Sequence, residues 1–401
     1  MKSFPQPLGL WESLLEVSFV KKVLTFGSYV LVALLATLIT LFLSEGFGGG
    51  QPQKLGAMQQ LIQERFIGEV EQTELEDAAA QAMVQAMGDR WSHYIPASAY
   101  GAYQEQSENA FVGVGITIQQ SEQGLVVVEV TEGGSAQSAG VQQGDLLESV
   151  DGQSVAQMTT AQVRDLVRGE EGTSVRLGLL RQGEALEVTA VRRRIEVPVA
   201  SGQMLPGNVG LVAIENFDDR CAKETIAAVE ELLQQGAQAL ILDVRNNPGG
   251  YAHEMVEVLD YLLPEGELFR TLSYDGTETV DRSDPEHLDL PMAVLVNADS
   301  YSAAEFFAAA LQEYGAAVVV GEQTSGKGFF QNTFCFDDGS ALALSVGKYF
   351  TPKGRSLEGA GIQPDVPVTV DADTAAAIYY DLLKPEEDPQ IQAARESLNR
   401  P

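Results

Sequence analysis

The chain has 401 residues and carries 57 acidic against 25 basic side chains, so its formal charge is −32. A charge of that sign repels a phosphate backbone and argues against a nucleic-acid partner. Hydrophobic residues form 45% of the chain, which is typical of folded globular protein and excludes a disordered or disulfide-rich chain. The two cysteines, Cys221 and Cys335, lie far apart and outside any zinc-ligand pattern. We expect two small buried hydrophobic side chains there, and their pairing is left open.

The first feature along the chain is an apolar run over residues 23–43 without a charged residue. As a helix it would span roughly 30 Å, the thickness of the hydrocarbon core of a bilayer. A cleaved signal peptide is the alternative, but the run is longer than a usual signal core and no clear Ala-x-Ala site follows. Lys21 and Lys22 precede the run and the next cation is Lys54, so the positive-inside rule places the N-terminus in the cytoplasm. The pattern predicts a single-pass protein of the cell membrane, with everything after about residue 44 outside the cytoplasm.

The rest of the chain shows three patterns in succession. Apolar residues at helical spacing come first, followed by short β-rich runs between glycine turns with one helix at Thr160–Val167. Strands then alternate with helices, which predicts a mixed α/β fold with buried parallel strands. In chain order we expect a cytoplasmic N-terminus (1–22), a transmembrane anchor (23–43), a tether (44–54), a helical region (55–109), a β domain (110–195), a mixed α/β core (196–385) and a polar tail (386–401).

Two short motifs suggest other functions. Residues 321–328, GEQTSGKG, follow an apolar strand as a phosphate-binding loop would, so a nucleotidase is an alternative. That loop requires a Ser or Thr after its lysine and then a helix, whereas Gly328 follows Lys327 and the next residues are typical of a β-hairpin. The second motif is an SxxK string whose ends, Ser345 and Lys348, would lie on opposite faces of a strand. We interpret both motifs as chance matches.

A different site is indicated around Ser302. This serine precedes a predicted helix, Ala303–Tyr314, and its spacing from Glu305 also fits an ordinary capping box. About twelve helical residues carry the chain about 18 Å away, and the extended residues 316–321 carry it about as far back. The loop with Lys327 therefore returns to the level of Ser302. A neutral lysine there would act as the general base for a serine nucleophile.

A lysine base requires a lowered pKa, because an ordinary lysine with a pKa of about 10.4 is almost entirely protonated at neutral pH. Lys327 is followed by Phe329 and Phe330, whose rings would exclude water. Gln331 would hold the amine without adding a charge. The alternative is a solvated loop lysine. Of the histidines, only His253, near a glycine turn, merits a control mutation.

Backbone donors for an oxyanion are predicted in the run Leu242–Met255, a buried strand, a Pro-Gly-Gly turn and a helix. Amides at a helix N-terminus favour a developing negative charge, and Gly249 or Gly250 would let the backbone approach closely. The amide of Ala303, next to Ser302, is the second donor. A tight turn without a catalytic role is the alternative.

The chain resembles the carboxyl-terminal processing proteases, or tail-specific proteases, in four ordered runs: ALILDVRNNPGG, VLVNADSYSAAEFFAAALQEYG, GEQTSGKGFFQ and LSVGKYFTPKGRSLEGAGIQPDVPV. The resemblance covers about residues 55–385, and the β domain resembles a PDZ domain through FVGVGI and SAQSAGVQQGDLLESVDGQ. It implies a ββα-type serine peptidase core, similar to crotonase and ClpP, with no metal or other cofactor. By this likeness the nucleophile is Ser302, the general base Lys327, the residue that orients it Gln331, and the oxyanion hole Gly249 or Gly250 with Ala303.

A PDZ domain binds the end of another chain as an added β-strand and holds its carboxylate on loop amides. Two glycines in FVGVGI would let such amides converge. Arg168, just after the predicted helix, is a candidate sensor of the bound tail, and the alternative is a cation that complements the helix dipole. The resemblance implies that a bound tail can gate the active site. The predicted tail-binding residues are Val112, Gly113, Val114, Gly115, Ile116 and Arg168.

We therefore expect a membrane-anchored serine endopeptidase that captures C-terminal tails of unfolded or partly folded extracytoplasmic proteins and cuts them through an acyl-enzyme. Its expected partners are these tails and the membrane, with a homo-oligomer or an adaptor protein left open. We expect no nucleic acid, metal or cofactor. The alternative is a PDZ adaptor on a protease-like scaffold, which would bind partners without cutting them. The presence of Ser302, Lys327 and Gln331 argues against that alternative.

Overall fold

The computed structural model describes residues 53–107, 110–121, 123–131, 133–380 and 382–398. The predicted cytoplasmic segment and transmembrane anchor lie outside these residues. Within the described part of the chain, no helix is both long and apolar enough to cross a bilayer. The chain divides into two compact units, residues 1–79 and 80–401.

The first unit contains helix α1, Gln53–Arg65, and the beginning of helix α2, Gln72–Gln85. The last two residues of the predicted tether, 44–54, are therefore part of helix α1. The side-chain amide of Gln59 donates to the carboxylate of Glu76 at 2.8 Å and links the two helices. In the second unit, the predicted helical region continues with a short strand, β1 His93–Ile95, and helix α3 Ala97–Ser107.

A small antiparallel β domain follows, as the β-rich runs predict. It consists of β2 Ala110–Gly113, β3 Ile116–Ser121, β4 Gly124–Val130, α4 Ser135–Ser138, β5 Leu146–Val150, β6 Gln153–Ser154, α5 Thr160–Val167, β7 Ser174–Arg181, β8 Glu184–Val191 and β9 Arg193–Glu196. The main sheet has the order β3-β4-β5-β7-β8 and encloses its own apolar core together with α5. The helix predicted at Thr160–Val167 is confirmed. Strands β2 and β9 pair, so the two ends of the domain lie side by side, as an inserted domain requires.

The remaining residues form the mixed α/β core. Its elements are β10 Ala200–Leu205, β11 Val209–Ile214, α6 Cys221–Gln234, β12 Ala239–Asp243, α7 Ala252–Leu262, β13 Gly266–Ser273, β14 Glu278–Ser283, β15 Met292–Val296, α8 Ala303–Tyr314, β16 Ala317–Gly321, β17 Phe329–Cys335, β18 Ala341–Phe350, β19 Val366–Pro367, α9 Ala372–Tyr379 and α10 Pro389–Leu398. One sheet has the order β10-β11-β12-β15-β16-β19 and is parallel except for β10. Strands β12 and β15 are buried almost throughout, which confirms the predicted buried parallel strands.

A second sheet has the order β1-β18-β13-β14, with β17 paired to β18. Strands β17 and β18 form the antiparallel hairpin predicted after Lys327. A strand, and not a helix, therefore follows the glycine-rich loop 321–328. The nucleotidase alternative lacks the helix N-terminus that would hold a phosphate.

Helix α10, Pro389–Leu398, occupies most of the segment predicted as a polar tail, residues 386–401. Helix α10 packs on the parallel sheet and buries Ile391 and Ala394, whose exposed fractions are 3% and 0%. Asp388, just before the helix, forms a buried ion pair with Arg245 at 2.7 Å. The polar composition did not predict this packing, because α10 buries only a narrow apolar stripe. Its other contacts with the core are hydrogen bonds and an ion pair between polar groups.

Candidate active site

A cavity of about 600 Å³ in the second unit brings together residues from separate parts of the chain. Ser302 at the start of α8 and Lys327 in the loop before β17 both line it. So do Gly249 and Gly250, in the turn before α7, and Gln331 on β17. The side chains and turns that the sequence singled out for catalysis therefore meet at one place.

Ser302 forms a sharp turn between β15 and α8. Its φ of 58° and ψ of −126° are rare for a residue with a side chain. Its carbonyl accepts the N–H groups of Glu305 at 2.9 Å and Phe306 at 3.2 Å, so the residue is also the helix N-cap. A strained strand-to-helix turn of this kind presents a serine side chain at the surface of a site while the next residue already belongs to the helix.

The buried carboxylate of Glu305 connects the two segments that carry Ser302 and Lys327. It accepts the backbone N–H groups of Ser302 at 3.0 Å, Gly326 at 2.7 Å and Lys327 at 2.7 Å. It also accepts the hydroxyl of Thr324. Burial raises the pKa of Glu305, and these hydrogen bonds oppose that shift. The capping-box spacing predicted the bond to Ser302, but the bonds to the distant loop had no local signal and were missed.

Lys327 is half-buried beside two stacked aromatic rings. Its Nζ lies 5.2 Å from the ring centroid of Trp91 and 5.7 Å from that of Tyr301. Burial lowers the pKa of Lys327, while Glu305 and two other carboxylates oppose the shift. We expected the two phenylalanines that follow the lysine to exclude water. The rings over Nζ come instead from the segment before β1 and from the residue before Ser302.

The lead-in segment, residues 89–92, is hydrogen-bonded to the loop before Lys327 directly and to the residue after it through Glu358. Arg90 donates to the backbone carbonyls of the two residues before Lys327, each at 2.9 Å. The indole N–H of Trp91 donates to Glu358 at 3.1 Å, and Glu358 accepts the N–H of the residue after Lys327 at 2.7 Å. Sequence reasoning missed this support, because the lead-in segment and the loop are far apart along the chain.

The backbone at Gly249 passes so close to the predicted nucleophile that no side chain fits there. Its φ is 89°, and a Cβ would lie 2.8 Å from Cβ of Ser302 and 2.9 Å from the backbone nitrogen of Ala303. The N–H of Gly249 itself donates to Oδ1 of Asn247 at 2.8 Å. This bond favours Gly250, together with Ala303, as the oxyanion donors.

Gln331 lies on the cavity, but its amide nitrogen is engaged by other groups. Nε2 donates to the carbonyl of Phe329 at 3.1 Å and to the hydroxyl of Ser345 at 3.0 Å. A bond that orients Lys327 would therefore use the side-chain carbonyl oxygen of Gln331. Its orienting role stays a prediction.

The histidines and cysteines differ in their distance from this site. His253 is exposed, while His93 lines the cavity from β1. Both cysteines are free: Cys221 is buried, which raises its pKa to about 12, but Cys335 is exposed, so the expectation of two buried thiols is wrong for it. Among the residues that the structure describes, no group of His, Cys, Asp and Glu side chains could hold a metal ion.

The β domain has a groove of its own, a cavity of about 290 Å³ between β3 and α5. Of the predicted tail-binding residues, those that line it are Gly113, Val114, Gly115, Ile116 and Arg168. Val112 lies on β2, where it pairs with Arg194 of β9. The guanidinium of Arg168 lies 4.7 Å from the ring centroid of Phe111. A glycine loop, a strand and a helix thus enclose the groove.

Comparison with known proteins agrees with this architecture. Peptidase family S41 matches residues 208–368 and the PDZ domain matches residues 126–181. The chain is 30% identical over 372 residues to the carboxy-terminal processing protease CtpA of Bacillus subtilis (strain 168), covering 90% of this chain and 80% of that protein. It is 33% identical over 298 residues to a probable CtpA-like serine protease of Staphylococcus haemolyticus (strain JCSC1435), covering 73% and 60%. A putative S41 protease structure from Bacteroides fragilis NCTC 9343 has the same fold, with 17% identity, a TM-score of 0.52 and coverage of 79% and 89%.

The PDZ domain and the S41 peptidase core together define a serine peptidase that carries a PDZ domain. The chain belongs to the carboxy-terminal processing proteases of peptidase family S41. The resemblance drawn from the sequence motifs is thereby confirmed.

Proposed function

We propose that this chain is a membrane-anchored endopeptidase that captures C-terminal tails and cuts their proteins with a Ser302–Lys327 pair. The observation that supports the pair most strongly is the bonding of Glu305. A carboxylate that served only as a helix cap would bond to its own helix. This one also holds the backbone of the lysine loop, on the same cavity as Ser302.

In the first half of the reaction, neutral Lys327 takes the hydroxyl proton of Ser302 while Oγ attacks the carbonyl carbon of the scissile bond. A C–O bond forms and the carbonyl electron pair moves to oxygen. The N–H groups of Gly250 and Ala303 stabilise that oxyanion. The ammonium of Lys327 then protonates the leaving amine as the C–N bond breaks, which leaves an acyl group on Ser302.

In the second half, Lys327 takes a proton from water as the water oxygen attacks the acyl carbon. Breakage of the C–O bond returns that proton to Oγ of Ser302 and releases the new C-terminal carboxylic acid, which loses its remaining proton to water. Lys327 must be neutral at the start of both halves. Because burial holds its pKa below the ordinary value, kcat/KM rises with pH through that lowered pKa.

The tail-binding and membrane parts of the proposal rest on other observations. The PDZ match and the groove beside α5 support capture of a C-terminal tail. Residues 23–43, with the lysines before them, support a membrane anchor with a cytoplasmic N-terminus and an extracytoplasmic enzyme. The proposal keeps the predicted order of anchor, helical region, β domain and α/β core.

The test of the catalytic pair uses the purified full-length chain and a disordered protein that ends in either an apolar residue or lysine. We expect the wild type to cut the apolar-tailed protein in preference. Ser302→Ala and Lys327→Ala should each lower kcat/KM by at least about 10³-fold. His253→Ala is the matched control and should retain full activity, because that side chain is exposed and has no part in the mechanism.

Two outcomes would contradict the proposal. Tail binding by the wild type without any cutting would favour the adaptor alternative. If Lys327→Ala were as active as the wild type, the lysine would not be the general base. The anchor is tested separately: the chain should stay with membranes after an alkaline wash, and an N-terminus that begins after residue 43 in the mature protein would show a cleaved signal peptide instead.

A further inference from the structure

The PDZ groove carries cations in a chain whose net charge is −32. Arg164 and Arg168 both line it. Thr160 and Arg164 lie on one face of α5, and Arg168, four residues further on, caps the end of the helix. The opposite wall is strand β3, which contributes Ile116 and Ile118. A tail that lies between the two walls therefore passes a row of basic and polar side chains on one side.

The contacts around α5 define which end of the groove receives the end of a tail. Arg168 lies over Phe111, so the end of α5 is beside the strand that leads into the glycine loop 113–115. A tail added to β3 places its terminal carboxylate on that loop. Its last side chain then faces the apolar end of the groove, which includes Val114 and Val167.

Arg164 precedes Val167 by three helical residues, about 5 Å along α5. An extended tail rises about 6–7 Å over two residues, and alternate side chains point to the same face. The side chain two positions before the last one, position −2, therefore lies opposite Arg164. The N-terminal end of α5 beyond it adds a partial positive charge.

We propose that Arg164 selects tails with a carboxylate side chain at position −2 and an apolar last residue. This inference rests on the proposed function, because it names which tails the PDZ domain captures. Arg164 is paired with Asp165 at 3.0 Å, and both side chains are more than half exposed, at 55% and 66%. Such an exposed ion pair contributes little free energy, so the carboxylate of a bound tail can replace Asp165 as the partner of Arg164. The tail also shields the new pair from water.

The test measures fluorescence anisotropy of labelled eight-residue tails with the full-length chain carrying Ser302→Ala, so that no tail is cut. The tails end in Asp-Ala-Val, Asn-Ala-Val or Lys-Ala-Val. We expect the Asp tail to bind about fivefold more tightly than the isosteric Asn tail. Added salt should reduce this preference. Arg164→Gln should remove it and leave the affinity for the Asn tail within about twofold.

A charge reversal and a matched control sharpen the test. Arg164→Glu should bind the Lys tail more tightly than the Asp tail. Arg176→Gln removes one positive charge from an exposed position on β7, outside the groove, and should keep the wild-type preference. Equal binding of the Asp and Asn tails, or a preference that survives Arg164→Gln, would overturn the inference while tail capture stands. Failure of every tail to bind would overturn tail capture itself.

Discussion

At the scale of single residues, the surroundings of Lys327 have the largest effect on the proposed chemistry, because this side chain must be neutral to act as a base. The rings of Trp91 and Tyr301 exclude water, which favours the neutral amine, but their π faces also attract the ammonium. Burial is the largest influence and the pKa of Lys327 is lowered, so exclusion of water dominates. The sequence indicated that this lysine requires a desolvated place. It did not indicate which rings provide it, because Trp91 approaches only through the folded chain.

Replacing Trp91 by alanine should move the ascending limb of the profile of kcat/KM against pH to higher pH. Water would reach Lys327, its pKa would rise toward the ordinary lysine value, and less neutral amine would exist at a given pH. Trp91→Phe is the control, because it keeps a ring and loses only the indole hydrogen bond to Glu358. A limb that stays in place in Trp91→Ala would show that the ring does not set the pKa.

At the scale of elements, local pattern and distant pairing explain different parts of the structure. The hairpin β17–β18, helix α5 and the buried parallel strands could be predicted, because alternation, capping residues and apolar runs are local signals. Strand β1 could not, because its three residues are strand only through pairing with β18. The turn before α7 was predicted as a donor site. The bond from Gly249 to Asn247, which leaves Gly250 as the better donor, required the fold.

Gly249→Ala should lower kcat/KM by at least about 10²-fold, because its Cβ would displace Ser302 and Ala303. Gly183→Ala in the β7–β8 hairpin is the matched control. Its φ of 88° nearly equals the 89° of Gly249, and a Cβ there would meet nothing within 4 Å. The control should lose about 1–2 kcal/mol of stability from backbone strain alone. Gly249→Ala should lose more, because its Cβ also overlaps backbone atoms, and only Gly249→Ala should lose activity. Equal activities would contradict the close packing at Ser302.

At the scale of the whole molecule, helix α10 belongs to the core that surrounds the parallel sheet. Alternate residues of the parallel sheet face two cores: Leu242 packs with α6, α7 and α8, while Ile241 packs with Ile391 of α10. The ion pair between Arg245 and Asp388 adds a buried polar connection to the strand that leads into the NNPGG turn. Composition could not predict this, because a polar sequence still supports a helix that buries a few small apolar residues.

Ile391→Ala should reduce the free energy of unfolding by about 2–4 kcal/mol, because it leaves a cavity beneath α10. Thermal melting of the full-length chain should show a drop of several degrees. Glu396→Ala, at an exposed position on the same helix, is the control and should melt as the wild type. An unchanged melting temperature in Ile391→Ala would mean that α10 does not contribute to the core.

The central claim, that Ser302 carries the acyl group and Lys327 activates it, is tested most directly by intact-mass measurement of the full-length enzyme. A peptide ester with an apolar acyl group is mixed with the enzyme and the reaction is stopped in acid during the first turnover. The wild type should gain the mass of the acyl fragment, mapped to Ser302, and Lys327→Ala should gain it far more slowly. An adduct on another residue, or undiminished cleavage by Ser302→Ala, would contradict the account.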